Sequence, residues 1–160
     1  MSPTADLSRL HVVLPVRSVS GGKARLGGAL DAEERESLVL GMLRHVLETL
    51  RAWRAAVPIH VVSLDGSLAA DAAAQGARVI RQAAGGGLNA AIAEGRAAAL
   101  SEGATALLVL PADLPAITVL SLERLLDAAD AALAAGAGRP LVVLAPADAR
   151  RGTNAMLVSP

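Results

Sequence analysis

The chain has 160 residues, which predicts a single domain over its whole length, since about 150 residues is the usual unit. It contains 0 cysteines, so a disulfide framework, a thiolate nucleophile and a cysteine-ligated metal are excluded, and a reducing, cytoplasmic setting is expected. The 15 basic and 15 acidic residues give a net charge of +0 and Trp53 is the only aromatic residue, which argues against binding of nucleic acid. No apolar run reaches the roughly 20 residues of a membrane span, and we expect neither a membrane segment nor a signal peptide.

The first half of the chain alternates apolar strands with helices. Leu10–Val16 is a short, β-branched run typical of a buried strand. The glycine-rich segment 17–30 follows it. Asp31 then opens a helix, because Asp31 and Glu34 have the spacing of a capping box. A second strand is predicted at Ile59–Leu64 and leads through a turn into an alanine-rich helix.

The second half continues the same alternation. Its predicted elements are strand Ala77–Ile80, helix Leu88–Leu100, strand Thr105–Leu110, a helix from Thr118 or Ser121 to about Ala135, strand Leu141–Ala145 and a strand at Ala155–Val158. Such β-α-β units have right-handed crossovers and predict an α/β fold, a mostly parallel sheet with helices on both faces. Ligands bind beyond the carboxyl ends of such strands. We therefore expect the polar loops 17–30, 81–87, 111–115 and 146–154 to converge on one edge.

The loop after the first strand has the composition of an anion site. It places Arg17, Lys23 and Arg25 among glycines and serines, and Lys23 is the only lysine of the chain. Glycines let backbone N–H groups approach an anion, while Lys and Arg neutralise its charge. This favours a di- or triphosphate over the alternative, a solvated loop. The loop is not a Walker A motif, because Ala24 follows the lysine.

A second glycine loop, Gly85–Asn89, leads into a helix. Its place after a strand favours close approach to a base or a ribose. Asn89 has an amide that reads hydrogen-bonding edges, but Asn is also a common N-cap. The residues alone leave both interpretations of Asn89 open.

The segment Pro111–Pro115, with the sequence PADLP, contains the best candidate for catalysis. It holds Asp113 between two prolines directly after the most apolar strand. A carboxylate near phosphates suits Mg²⁺, a hard cation that prefers oxygen ligands. The alternative is a turn or helix-capping aspartate.

The segment Arg150–Asn154 again combines cations, a glycine, a hydroxyl and an asparagine. This composition favours binding of a phosphorylated acceptor. The alternative is a hairpin-like turn before an edge strand.

Two of the histidines, His11 and His60, fall in predicted strands. A hydrogen-bonded core or edge histidine is expected there rather than a metal ligand. No zinc-site spacing is present in the sequence.

Four segments together resemble the phospholactate/phosphoenolpyruvate guanylyltransferases. They are LPVRSVSGGKARL, GLNAAI, PADLP and RGTNAML, and their order and spacing match across nearly the whole chain. The resemblance implies a Rossmann-like, glycosyltransferase-A-type nucleotidyltransferase fold. It also implies transfer of GMP from GTP to a small phosphorylated acid, with release of pyrophosphate, in the biosynthesis of the deazaflavin coenzyme F-420. The acid would be 2-phospho-L-lactate, phosphoenolpyruvate or 3-phosphoglycerate.

The resemblance assigns the binding of GTP to the first two loops. Arg17, Lys23 and Arg25 would hold the GTP phosphates, and Lys23 and Arg25 would take part in catalysis. The residues beside the guanosine would be Gly87, Leu88 and Asn89.

The resemblance assigns the metal and the acceptor to the other two loops. Asp113 would coordinate Mg²⁺, the implied cofactor, and act in catalysis. Thr153, with Asn154 beside it, would touch the acceptor phosphate. Catalysis would then consist of positioning and charge neutralisation, without a covalent intermediate.

The chain departs from the family pattern in three places. Arg17 stands where lysine is common, and Arg151 where glycine often stands. The family's F-G-x-x-S segment and aspartate pair are absent from the sequence, so we expect a domain that lacks the family's C-terminal segment. One alternative is another nucleotidyltransferase of this fold. It is disfavoured because such enzymes usually carry a leucine-x-glycine-glycine loop after the first strand, where this chain has Pro15–Arg17. The other alternative is a non-catalytic nucleotide-binding domain. The residues predict neither the acceptor acid nor the oligomeric state.

Overall fold

A computed structural model of the chain describes residues 5–16, 30–83, 86–147 and 152–160. The strands are β1 Leu10–Val16, β2 Ile59–Ser63, β3 Arg78–Arg81, β4 Ala106–Val109, β5 Leu141–Pro146 and β6 Thr153–Ser159. The helices are α1 Ala32–Trp53, α2 Gly66–Ala74, α3 Gly87–Ser101 and α4 Val119–Ala134. The predicted elements are all present, and their ends lie within about two residues of the predicted ones.

The strands form one 6-stranded sheet in the order β3-β2-β1-β4-β6-β5. β1 pairs in parallel with β2 and with β4, and β2 pairs in parallel with β3. β6 is antiparallel to both of its neighbours, β4 and β5. The sheet is therefore mostly parallel, as expected, with one reversed strand near its edge. The strand order reverses between β1 and β4, which is where ligands bind in sheets of this kind.

Helices cover both faces of the sheet, as predicted. α1, α2 and α4 share one apolar core with β1, β4 and β6, and its largest buried side chains include Leu14, Leu43, Leu47, Leu50, Leu68, Leu108 and Leu157. α3 packs on the other face through Ala91 and Ala99 against Val13 and Val62. In the described parts of the chain, no helix combines the length and the apolar composition that a membrane crossing requires.

Small residues bring α3 close to the sheet. A Cβ atom on Gly95 would clash with Cγ1 of Val13 and would lie 3.1 Å from Cγ2 of Val62. α3 can approach β1 and β2 this closely because its buried residues, Ala91, Gly95 and Ala99, are all small. This close packing fixes the start of α3 at the carboxyl edge of the parallel strands.

Local capping fixes the starts of two further helices. Asp31 caps α1 in the predicted capping box: the Glu34 N–H donates to Asp31 Oδ1 (2.8 Å), and the Asp31 N–H donates to Glu34 Oε2 (2.9 Å). Thr118 caps α4, and Ser121 is its reciprocal partner. Of the two residues predicted as alternative caps, Thr118 is the N-cap.

Candidate functional site

The described polar loops meet at the carboxyl edge of the parallel strands. The last residue of β1, Val16, is in register with the last residue of β2, Ser63. β6 runs in the opposite direction, so its first residues lie at this same edge, and Thr153 pairs there with Pro146 at the end of β5. The predicted convergence is thus confirmed for the loops that the structure describes.

The three cations of the first loop, Arg17, Lys23 and Arg25, lie outside the described residues, as do Arg150 and Arg151. Their roles stay predictions. The strand before the first loop ends at the carboxyl edge, in the centre of the sheet.

Residues Gly87–Asn89 of the second glycine loop form the first turn of α3. Gly87 has a φ of +65°, a backbone conformation that favours glycine. The N-cap of α3 is Gly86, and no side chain caps the helix. The interpretation of Asn89 as an N-cap is therefore wrong, because Asn89 lies inside the first turn. Leu88 and Asn89 are both exposed at the edge, where they are accessible to a ligand.

Gln82 holds this loop and was not identified from the sequence. Its backbone N–H donates to the carbonyl of Ser63 (3.0 Å), and its side-chain Nε2 donates to the carbonyl of Gly87 (2.6 Å). The side chain is buried. A Cβ on Gly86 would lie 3.3 Å from this Nε2 atom and 2.7 Å from Cβ of Ala90, so the loop is closely packed around the amide. A glutamine between a strand and a glycine loop is the signal that would have identified it.

Asp113 lies in the loop that follows β4. The β-ladder continues to Leu110, whose N–H donates to the carbonyl of Val13 (3.1 Å). Asp113 itself is exposed, and no described residue donates a hydrogen bond to its carboxylate or forms an ion pair with it. The alternative interpretation as a helix cap is wrong, since Thr118 caps α4.

The carboxylate of Asp113 fits a magnesium ion shared with substrate phosphates. Mg²⁺ is usually held through one or two carboxylates together with phosphate oxygens and water. Both oxygens of Asp113 are unengaged by the described residues. The fit therefore rests on one protein carboxylate at the carboxyl end of a central strand.

Thr153 and Asn154, the residues predicted to contact the acceptor, begin β6 and are exposed. The chain reaches them through a β5–β6 hairpin, in which the N–H of Ala147 donates to the carbonyl of Gly152 (3.0 Å). The hairpin alternative is thus correct for the connection, but β6 is not an edge strand, because it lies between β4 and β5.

Two cavities flank the loop that carries Asp113, and Pro115 lines both. One, of about 710 Å³, is an open groove along the start of α1. The other, of about 360 Å³, extends to Asn154 and α4. The second cavity therefore lies between Asn154 and the segment Leu114–Ile117, which directly follows Asp113.

The described residues contain one cluster with metal-ligand chemistry, and it lies at the opposite edge. It comprises His11, His60 and Glu102. His11 Nδ1 and His60 Nε2 lie 3.0 Å apart, and Glu102 forms an ion pair with Arg78. Burial lowers the pKa of both histidines, that of His60 to about 4. The two histidines thus form a hydrogen bond with each other, as expected for core histidines.

Comparison with known proteins identifies the family. The family model described as "Guanylyl transferase CofC like" matches residues 10–160. A phosphoenolpyruvate guanylyltransferase of Rubrobacter xylanophilus is 47% identical over 151 residues, 94% of this chain and 69% of that protein. A 3-phospho-D-glycerate guanylyltransferase of Phenylobacterium zucineum is 40% identical over 110 residues, 67% of this chain and 50% of that protein.

The solved structures support the fold. A nucleotide-diphospho-sugar transferase from Desulfovibrio desulfuricans superposes with a TM-score of 0.71 at 16% identity, over 95% of this chain and 64% of that chain. A Leptospira borgpetersenii cytidylyltransferase superposes with a TM-score of 0.63 at 18% identity, over 94% of this chain and 60% of that chain. The chain thus spans about two thirds of the length of these neighbours and of the Rubrobacter relative. It belongs to the CofC-like guanylyl transferases, a family of nucleotidyltransferase enzymes with a Rossmann-like α/β fold.

Proposed function

We propose that this protein transfers GMP from GTP to a small phosphorylated acid and releases pyrophosphate. The observation that carries the proposal is the position of Asp113, in the loop after β4, with a carboxylate that no described residue engages. The loop Gly87–Asn89 lies on one side of it along the sheet edge, and Thr153 and Asn154 lie on the other. This order suits a donor nucleotide, a metal and an acceptor in a row.

The donor would lie across the β1 end of the edge. Arg17, Lys23 and Arg25 would neutralise its phosphates, since Lys and Arg are the usual phosphate-binding cations. Leu88 and Asn89, both exposed, would lie beside the guanine, with Asn89 hydrogen-bonding to its edge. Gln82 would keep that loop in place through its bond to Gly87.

The reaction needs no nucleophile from the protein. A phosphate oxygen of the acceptor would attack the α-phosphorus of GTP and form a new P–O bond. The bond from the α-phosphorus to the bridging oxygen of the β-phosphate would break, and its electron pair would leave with pyrophosphate. Mg²⁺ held by Asp113 would supply charge neutralisation when bound. Thr153 and Asn154 would position the acceptor phosphate in line.

The acceptor is a phosphorylated three-carbon acid in this proposal, phosphoenolpyruvate or 2-phospho-L-lactate. The names of the relatives support a phosphorylated acid, since they specify phosphoenolpyruvate or 3-phospho-D-glycerate. The product would serve the biosynthesis of coenzyme F-420 in the cytoplasm.

The test is pyrophosphate release from GTP, Mg²⁺ and each acid. We expect turnover with at least one acid, and a loss of at least about 100-fold in kcat for Asp113→Asn, because removing a metal-binding charge removes transition-state stabilisation. Asp130→Asn, an exposed aspartate on α4, is the matched control and should keep full activity. Binding of GTP without turnover with any acid would favour a non-catalytic nucleotide-binding domain instead.

A further inference from the structure

The cavity beside Asn154 has an apolar floor. We call it the acceptor-side cavity; its volume is about 360 Å³ and its lining comprises Leu110, Leu114, Pro115, Ala116, Ile117, Ser121, Leu122, Leu125, Ala145, Asn154 and Ala155. Leu110, Leu122 and Leu125 belong to the main core and are 1%, 3% and 8% exposed. The cavity is therefore a gap between the core and the catalytic edge.

The polar side chains of this cavity, Ser121 and Asn154, lie at its rim or are already engaged. The Ser121 hydroxyl donates to the carbonyl of Thr118 (2.6 Å) as part of the α4 cap. Asn154 is exposed, and no described residue forms a hydrogen bond with its amide. A ligand entering the cavity would thus meet an amide at the rim and hydrocarbon below it.

We propose that the acceptor-side cavity takes the hydrocarbon end of the acceptor, its third carbon, and selects against a hydroxyl there. This inference rests on the proposed function. Burying a charge without a partner is prohibitive, so the phosphate and the carboxylate of the acid stay at the rim, beside Asn154. The remaining carbon then faces Leu122 and Ala145. A methyl or methylene group fits this wall, whereas a hydroxyl would lose its hydrogen bonds to water and face only apolar side chains among the described residues below the rim.

A matched pair of acceptors tests this selection. 2-Phospho-L-lactate and 2-phospho-L-glycerate have the same configuration and differ only by a hydroxyl on the third carbon. We expect kcat/KM with the lactate compound to be at least about tenfold higher, the size expected for one unsatisfied hydroxyl. Equal kcat/KM values for the two compounds would overturn the inference.

A small substitution tests the location. Ala145→Ser adds a hydroxyl to the cavity wall with little change in volume, and should lower the preference at least threefold by giving the acceptor hydroxyl a partner. Ala128→Ser, on the exposed face of α4 and outside the cavity lining, should leave the ratio unchanged. A ratio that Ala145→Ser does not change would show that another part of the site makes the selection.

A binding measurement separates this inference from the proposed function. Methyl NMR signals of Leu122 and Ala145 should shift when 2-phospho-L-lactate is added to the full chain with Mg²⁺ and a non-hydrolysable GTP analogue, while the Ala128 methyl stays in place. Absent shifts overturn the cavity assignment even where turnover is seen. Absent turnover with every acid would overturn the proposed function, and the methyl shifts would still decide whether the cavity binds the acid.

Discussion

Burial keeps His60 uncharged, and the stability of the folded chain depends on that charge state. His60 is 1% exposed, and burial, followed by the nearby His11 and the Arg78 guanidinium, lowers its pKa from 6.5 to about 4. The carboxylate of Glu102 also faces it, 3.9 Å from Nε2, but is paired with Arg78. The folded state therefore binds a proton on His60 less readily than the unfolded state does.

This difference predicts a loss of stability in mild acid. Well above pH 6.5, His60 is unprotonated in both states and its contribution to stability is fully present. As the pH falls through 6.5 toward 4, His60 gains a proton in the unfolded state but not in the folded state. The free energy of unfolding should fall across that window by up to about 3 kcal/mol. Urea denaturation at several pH values measures it. His60→Gln should flatten the dependence; a pH slope equal to that of the unsubstituted protein would refute this role of His60.

Gln82 is predicted to position the nucleotide loop without touching the reacting atoms. Gln82→Met removes the donor to the Gly87 carbonyl at nearly constant volume, so the first turn of α3 loses its anchor. We expect KM for GTP to rise about fivefold to tenfold while kcat changes less than twofold. Gln75→Met breaks an equivalent side-chain bond, to Asp71 in α2, and serves as the control. An unchanged KM for GTP, or a loss confined to kcat, would show that Gln82 does not position this loop.

At the scale of elements, the short distance between α3 and the sheet depends on Gly95, which has no side chain. Gly95→Ala would force its methyl group into Val13 and Val62, and overpacking of this kind costs about 1–3 kcal/mol. Gly41→Ala in α1 meets nothing within 4 Å and should stabilise the protein by about 0.5–1 kcal/mol, because alanine favours helix. Thermal unfolding of both variants checks the opposite signs. A Gly95→Ala variant with unchanged stability would contradict the close packing of α3.

Elements whose boundaries depend on local contacts could be predicted from the sequence. The capping box of Asp31 and Glu34 and the buried run of β1 need only residues near in the chain, and both are present. The sequence predicts Thr118 or Ser121 as the cap of α4, since both are good caps; the structure uses both, with Thr118 as the N-cap.

Features that depend on contacts between distant segments could not be predicted. The sequence gives no information on strand order, so the insertion of β6 between β4 and β5 appears only in the sheet pairing. The role of Gln82 requires the end of β2 and the start of α3 to meet. The acceptor-side cavity likewise arises where α4, β5 and the loop after β4 come together.

On the scale of the whole molecule, the fold brings the proposed site residues that the structure describes to one edge of the sheet. Asp113, Asn89 and Thr153 come from three segments that are far apart in sequence, and the strand order brings them to the carboxyl edge. The histidine pair lies at the opposite edge. The proposed reaction therefore depends on the whole sheet and not on any single motif.

Identification of the product tests the central claim most directly. The chain is incubated with GTP, Mg²⁺ and phosphoenolpyruvate or 2-phospho-L-lactate, and the mixture is followed by ³¹P NMR and mass spectrometry. A guanylyl transfer predicts two new diphosphate resonances of a guanosine-linked product together with an equal amount of pyrophosphate, both lost with Asp113→Asn. Unchanged GTP with every acid, or release of GDP and phosphate in place of pyrophosphate, would contradict it.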